Sequence, residues 1–249
     1  MARYQLTLAY DGALFEGFQR QGRIATPVRT VQAVVETALR QLGWQGKTIL
    51  AAGRTDTGVH ASGQVIAFDL DWNHAPEVLA VALNAKLPED VAVQTAQLAP
   101  LDFHPRYDAL SRCYRYTIIC QAQRDPLQER YAWRVWPAVS LEDLQAAASS
   151  LSGRHDFGAF GTPPRRGGST VRCIYRAEWR SEGERLVFEI EADAFLYHMV
   201  RRLVYAQVKV AQGKLPPDAI QTRLNGRLSG MVQGLASPRG LVLVRVYYK

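Results

Sequence analysis

Leu50-Ala-Ala-Gly-Arg-Thr-Asp-Thr-Gly-Val-His-Ala-Ser-Gly-Gln-Val65 is the stretch around which the rest of the chain is organised. Small residues flank one Arg-Thr-Asp triplet, and the apolar alternation that follows (Val65, Ala67) predicts a strand over 65–70. The glycines let the backbone turn tightly or approach a ligand closely. Asp56, beside Arg54 in such a loop, is placed to meet a ligand. On this fragment alone, a glycine-rich turn with an Asx-type cap reads equally well.

Upstream, Tyr4, Leu6, Leu8 and Tyr10 alternate as a half-buried strand that Asp11-Gly12 ends. Phe15-Glu-Gly-Phe-Gln-Arg-Gln-Gly-Arg23 then mixes rings, amides and guanidiniums. Such a mix can hydrogen-bond and stack on unpaired bases; a solvated loop with one anchoring phenylalanine is the plain alternative. Thr30 reads as the N-cap of a helix carrying Val31, Val34, Val35, Ala38, Leu39 and Leu42, with Gly43 as its stop. That helix is read as core without chemistry.

Downstream, Pro76 and Glu77 open a helix with Val78, Leu79, Ala82 and Leu83, and 91–98 reads as a strand. Residues 99–107 hold two prolines and no periodicity, which makes them the expected crossing between domains 1–105 and 106–249. In the second half, 112–120 alternates as a strand bearing Tyr114 and Tyr116. Ser140 caps a helix through Leu144, Ala147, Ala148 and Leu151, closed by Gly153. Residues 161–169, with Arg165 and Arg166, form an irregular loop, either RNA-facing or simply solvated. Paired strands at 171–179 and 186–192 flank a Ser-Glu-Gly-Glu turn. A long helix is expected over 195–213 with Arg201 on it, then a short helix after Pro216-Pro217 and a closing strand at 241–248. Each half thus reads as α+β, with mainly antiparallel sheets flanked by helices and a cleft between the two.

The composition bounds the function. The 249 residues suit one large domain or two smaller ones, and 47% hydrophobic with 21% charged residues is a soluble globular balance. No apolar run approaches the length of a membrane span, and Met1-Ala-Arg-Tyr-Gln-Leu runs straight into strand pattern, which reads as no signal peptide. Three cysteines without a Cys-x-x-Cys pair point to a reducing, cytoplasmic setting. The net charge is +7, and only five of the 30 basic residues are lysines. Arginine's planar fork suits phosphates and base edges, which tilts the partner toward nucleic acid.

No phosphate loop, dinucleotide fingerprint or nucleophile elbow is present. The five histidines (His60, His74, His104, His155, His198) have no metal-ligand spacing. No metal and no cofactor is therefore expected. His198 is read as a core or interface histidine on its helix. What survives is one carboxylate, Asp56, which an arginine could keep ionised. Arg201, its stem buried by Val200 and Leu203, is a candidate counter-ion; an exposed Arg201-Arg202 pair touching phosphate is the alternative.

Ala52-Gly-Arg-Thr-Asp-Thr-Gly-Val-His-Ala-Ser-Gly-Gln-Val65 closely resembles the signature of the TruA family of tRNA pseudouridine synthases. Asp11-Gly-Ala-Leu-Phe-Glu-Gly-Phe-Gln-Arg-Gln21, Leu83-Asn-Ala-Lys-Leu-Pro88, Phe103-His-Pro-Arg106, Arg112-Cys-Tyr-Arg-Tyr116, His155-Asp-Phe-Gly-Ala-Phe160, Ala194-Phe-Leu-Tyr-His-Met-Val-Arg-Arg202 and Ala236-Ser-Pro-Arg-Gly-Leu-Val-Leu243 follow in family order. The resemblance implies the pseudouridine synthase fold and a cytoplasmic homodimer acting on uridines 38, 39 and 40 in the anticodon stem-loop of tRNA. It implies that Asp56 is catalytic and Arg54 helps displace the target nucleotide. It makes Tyr114 the tyrosine packed on the uracil, Arg201 the basic partner of the aspartate and Leu241 the apolar wall of the base pocket. Gln19, Gln21 and His60 are expected to bind substrate. Phe18 stands where the family usually has tryptophan, and Tyr205 where glycine is common. Two rivals remain: a ribonucleoside hydrolase, which usually needs a second carboxylate where the central motif offers none nearby and Asp69 lies on a different stretch, and a non-catalytic RNA-binding module.

Overall fold

Tyr4, Leu6, Leu8 and Tyr10 are all buried and make β1 (Ala2–Tyr10) the centre of the first sheet. The computed structural model describes residues 1–21, 28–226, 228 and 230–249; Gly22 and Arg23, at the end of the early loop, lie outside them. The chain divides into two compact units, Met1–Leu110 with Val242–Lys249 and Ser111–Leu241.

In the first unit β1 pairs antiparallel with both β3 (His60–Leu70) and β4 (Val91–Ala99). The short β2 (Leu50–Ala51) adds antiparallel to β3. On its other side β3 takes a parallel partner, the closing strand β10 (Leu241–Tyr247), at Val242 opposite His60 and Leu243 opposite Ala61. That pairing is why the C-terminal residues belong to this unit. Two helices supply the apolar stripes that bury the sheet: α1 (Val31–Gln41) through Val31, Val35 and Leu39, and α2 (Pro76–Asn84) through Leu79 and Leu83. Thr30 caps α1 as expected, its hydroxyl accepting from the Ala33 N–H.

Strand β3 starts at His60, five residues earlier than the alternation at Val65 suggests. Ala61, Ser62 and Gly63 carry too little side chain to show a period. Gly63 nevertheless sits mid-strand because its backbone lies against that of Val244, where a Cβ would overlap the Val244 carbonyl. Residues 99–107 lie inside the first unit, and the division falls after Leu110. Phe103 packs edge-on against Tyr248 with centroids 5.2 Å apart, and the Tyr248 hydroxyl donates to the Pro105 carbonyl at 2.7 Å. The two-proline stretch is thus stapled down by the C-terminus.

The second unit is built on β5 (Ser111–Cys120), β7 (Gly153–Asp156), β8 (Val171–Glu182) and β9 (Arg185–Ala192), in the order β5-β9-β8-β7 and antiparallel throughout. A three-residue strand, β6 (Trp133–Val135), runs parallel to β5. The hairpin is tighter than its Ser-Glu-Gly-Glu sequence suggests, since β8 and β9 run on to leave only Gly183 and Glu184 between them. Tyr116, Ile118, Trp179, Phe188 and Ile190 are buried on one face. Trp179 donates to Gln207 at 2.6 Å, tying the sheet to α4 (Met199–Ala211), against which α3 (Leu141–Ala148) packs; α5 (Ala219–Leu224) follows. Ser140 caps α3 and is bonded by Asp143 in return.

Helix α4 begins at Met199, not at Phe195. Tyr197 exchanges backbone hydrogen bonds with Thr162 (2.9 and 3.4 Å), and His198 adopts a left-handed conformation (φ 64°). With its N–H and C=O committed to Thr162, Tyr197 cannot enter the helix. His198 therefore precedes α4 instead of riding on it. Tyr205, the departure from the resembled pattern, stacks on Trp133 with centroids 6.4 Å apart and packs over Gly234, where no side chain would fit beside its ring. Among the described residues no helix is long and apolar enough to cross a membrane.

Candidate active site

In the first unit the loop 52–60 is fixed almost residue by residue. Ala52 N–H donates to the Val65 carbonyl at 2.8 Å, and the buried Gln64 amide donates to the Gly53 carbonyl at 3.0 Å. Thr55 is held at both ends: its hydroxyl is 2.8 Å from the Tyr10 hydroxyl, and its carbonyl accepts from the Phe18 N–H at 3.0 Å. Val59 N–H closes the turn on the Asp56 carbonyl at 3.1 Å. Tyr10 is buried, and burial pushes its phenol up to about 12, with hydrogen bonding to Thr55 and then Gln64 pulling the other way. It therefore stays a neutral hydroxyl at any physiological pH.

The clamped positions, 53 and 55, alternate with Arg54 and Asp56. Arg54 is exposed and Asp56 is half-buried. A loop whose fixed backbone carries an exposed guanidinium and a half-buried carboxylate holds both for a ligand without reorganising. This is more order than a turn with an Asx cap needs.

The early turn docks on the same loop. Phe15 carbonyl accepts from the Gly58 N–H at 3.3 Å, Glu16 accepts from the Thr57 hydroxyl at 3.2 Å, and Gly12 lies so close that a Cβ would overlap the Val59 carbonyl. Phe18 is buried against Tyr10, so this residue serves the underside of the loop. Gln19 and Gln21 are exposed beyond it, with the Gln21 amide bonded to the Glu16 carbonyl at 3.3 Å. His60 is buried. Its Nδ1 stands 3.0 Å from both the Gly12 N–H and the Asp11 carboxylate, so it accepts from the first or, once protonated, donates to the second.

In the second unit, Tyr114 lies on β5 opposite Ile190, half-exposed, with its ring edge-on to Phe195 at 5.0 Å. Tyr116, two residues on and so on the same face, is buried and donates to the Ser237 carbonyl at 2.7 Å. Arg201, on the first turn of α4, donates through Nε to the Ala236 carbonyl at 2.9 Å, and its own backbone carbonyl accepts from the Ala236 N–H at 3.2 Å. Val200 and Leu203 are buried beside it, as the spacing suggests. Burial holds the Tyr116 phenol well above its ordinary range, with the Arg201 charge opposing. Residues 236 and 237 are thus pinned by two side chains, and a 3-10 turn (Pro238–Gly240) then leads to the buried Leu241. Tyr114, Arg201 and Leu241 accordingly share one scaffold within this unit.

Tyr10, Gln64 and Tyr116 were not singled out by sequence. Gln64 precedes the strand expected over 65–70 and gives no signal of its own. Tyr10 and Tyr116 looked like ordinary strand tyrosines, because a partner 45 or 121 residues away leaves no local mark.

A model of the family described as tRNA pseudouridine synthase matches residues 7–108 and 147–249. Curated relatives named tRNA pseudouridine synthase A align over essentially the whole chain. The protein of Moorella thermoacetica is 40% identical over 248 residues, covering 98% of each chain. That of Syntrophomonas wolfei is 38% identical over 248 residues, covering 100% of this chain and 98% of its own. That of Bacillus subtilis is 36% identical over 249 residues, covering 99% of each.

Proposed function

The chain belongs to the tRNA pseudouridine synthase family, and on that premise we propose that it isomerises uridine to pseudouridine at positions 38, 39 and 40 in the anticodon arm of tRNA, as a cytoplasmic homodimer. The observation that carries the reading is the loop 52–60: a half-buried carboxylate and an exposed guanidinium on a backbone fixed on either side of them.

The reaction breaks the N1–C1′ bond, turns the uracil and joins C5 to C1′; the proton lost from C5 is balanced by one gained at N1. No electron is transferred overall. Asp56 is the catalytic carboxylate in this reading. Attack at C1′, addition at C6 and removal of the C2′ proton are the roles open to it, and each needs it ionised. Arg201 is its basic partner, favouring the charged form. Tyr114 packs on the uracil, Leu241 walls the base pocket, and Arg54 fills the space the target nucleotide leaves. Extruding that nucleotide costs a few kcal/mol, which stacking and the inserted guanidinium offset. Gln19 and Gln21 are exposed and carry amides that can hydrogen-bond bases, and the buried His60 acts by holding the early turn to β3.

The test is incubation with unmodified tRNA, followed by mapping of pseudouridine. Conversion without change of mass at the three positions supports the reading. Release of free uracil identifies a ribonucleoside hydrolase instead, and binding without either product identifies an RNA-binding module.

A further inference from the structure

Helix α1 was expected to be core alone, yet it buries a carboxylate. Glu36 is 0% exposed. Its Oε1 accepts from the Gln32 amide at 2.8 Å and from the Ile49 N–H at 3.2 Å. Its Oε2 lies 3.0 Å from the Arg20 guanidinium and 3.7 Å from that of Arg40. Gln32 completes the cluster by accepting from the Arg20 N–H at 3.0 Å and donating to the Thr48 hydroxyl at 2.7 Å.

A buried ion pair is a poor device for stability alone, since apolar residues of similar volume often serve as well. The outward side of this cluster shows what it does achieve. The Arg20 and Arg40 side chains are 49% and 46% exposed, and two guanidiniums on one carboxylate leave a net positive charge. Neither ion pair has the alignment of a hydrogen bond. Each guanidinium carries five N–H donors, more than its one contact with a shared carboxylate oxygen can use. Arg40 is steadied further by lying over Trp44, 5.4 Å from the ring centroid. Two arginines held in place, half-exposed and with donors to spare suit a phosphate.

The position is equally informative. Arg20 follows two residues after Phe18, whose N–H is bonded to the Thr55 carbonyl beside Asp56. Two residues span at most about 7 Å. A nucleotide whose base meets Asp56 carries its neighbouring phosphates within reach of a side chain as long as arginine.

We propose that Arg20 and Arg40, gathered on the buried Glu36, form a binding site for the phosphodiester backbone of the substrate RNA. This rests on the reading of the chain as a tRNA-modifying enzyme. The test is binding of unmodified tRNA across a series of salt concentrations. Arg20→Gln and Arg40→Gln should each weaken binding and reduce the slope of log K against log salt by about one, and the double variant by about two. Arg20→Lys, which keeps the charge, should restore the slope. Arg185→Gln, on the hairpin of the other unit, controls for net charge and should leave the slope as in the wild type. Unchanged slopes in the Arg20 and Arg40 variants, or an equal loss in Arg185→Gln, would overturn the proposal. The measurement reads binding and not turnover. A wild-type protein that shows these slopes yet forms no pseudouridine contradicts the functional reading and leaves the phosphate site standing.

Discussion

The loop 52–60 of the first unit and the segment 236–241 of the second are held in opposite ways. The first is stitched by backbone: carbonyls and N–H groups of residues 52, 55, 58 and 59 find main-chain partners, and Gly12 admits the close approach that makes this possible. Tyr10 and Gln64 add to a frame already closed. The second has a main-chain tie from the Ala236 N–H to the Arg201 carbonyl and otherwise depends on reaching side chains, the Tyr116 hydroxyl on the Ser237 carbonyl and the Arg201 guanidinium on the Ala236 carbonyl. A single deletion should therefore be cushioned in the first region and felt in the second, unless it strikes the backbone approach itself.

The largest effect should come from that approach. Gly12→Ala places a methyl group on the Val59 carbonyl, so loop or turn must move. We expect a loss of about 3 kcal/mol or more in denaturant unfolding; wild-type stability would show that the turn does not set the loop. Tyr116→Phe comes next. It leaves the Ser237 carbonyl without its donor beside a buried ring, at a cost of about 1–3 kcal/mol. Tyr10→Phe should cost less, about 1 kcal/mol, because the Thr55 carbonyl keeps its bond to Phe18. Should Tyr10→Phe prove the costlier of the two hydroxyl deletions, the contrast between the regions fails.

The smallest effect is a matter of pH and lies on the rim of the first sheet. Arg3 donates to both oxygens of Asp69, at 2.7 and 2.8 Å, and this hydrogen bonding holds the Asp69 carboxyl below its ordinary value. A carboxyl lowered by folding stabilises the protein above its unfolded pKa of about 4, and that contribution fades as pH falls through the lowered value. The stability gap between wild type and Asp69→Asn should accordingly be steady near neutral pH and close in acid. A gap that widens in acid has the wrong sign.

The elements that sequence made legible are those whose signal is local. Thr30, Ser140, the alternation from Tyr4 to Tyr10 and the Leu79/Leu83 stripe each announce a cap, a strand or a helix face within a few residues, and each is found. Boundaries set from afar were not legible. The start of β3 depends on pairing with Val242 and Leu243, the start of α4 on Thr162, and β2 and β6 are too short to show a period. The same division runs through the site. Arg54 and Asp56 were marked by their small neighbours, whereas the tyrosines that fix residues 55 and 237 come from distant strands. Glu36 is the sharpest miss, since a glutamate in a helix ordinarily faces water and only its partners reveal that this one does not.

The central claim is that the loop's ionised carboxylate does the chemistry while the rest of the chain delivers RNA to it. Pseudouridine mapping on unmodified tRNA, with Asp56→Asn beside the wild type and tRNA affinity measured in parallel, tests this most directly. The expected result is loss of all product at an affinity within a few-fold of wild type. Wild-type turnover by Asp56→Asn would contradict it.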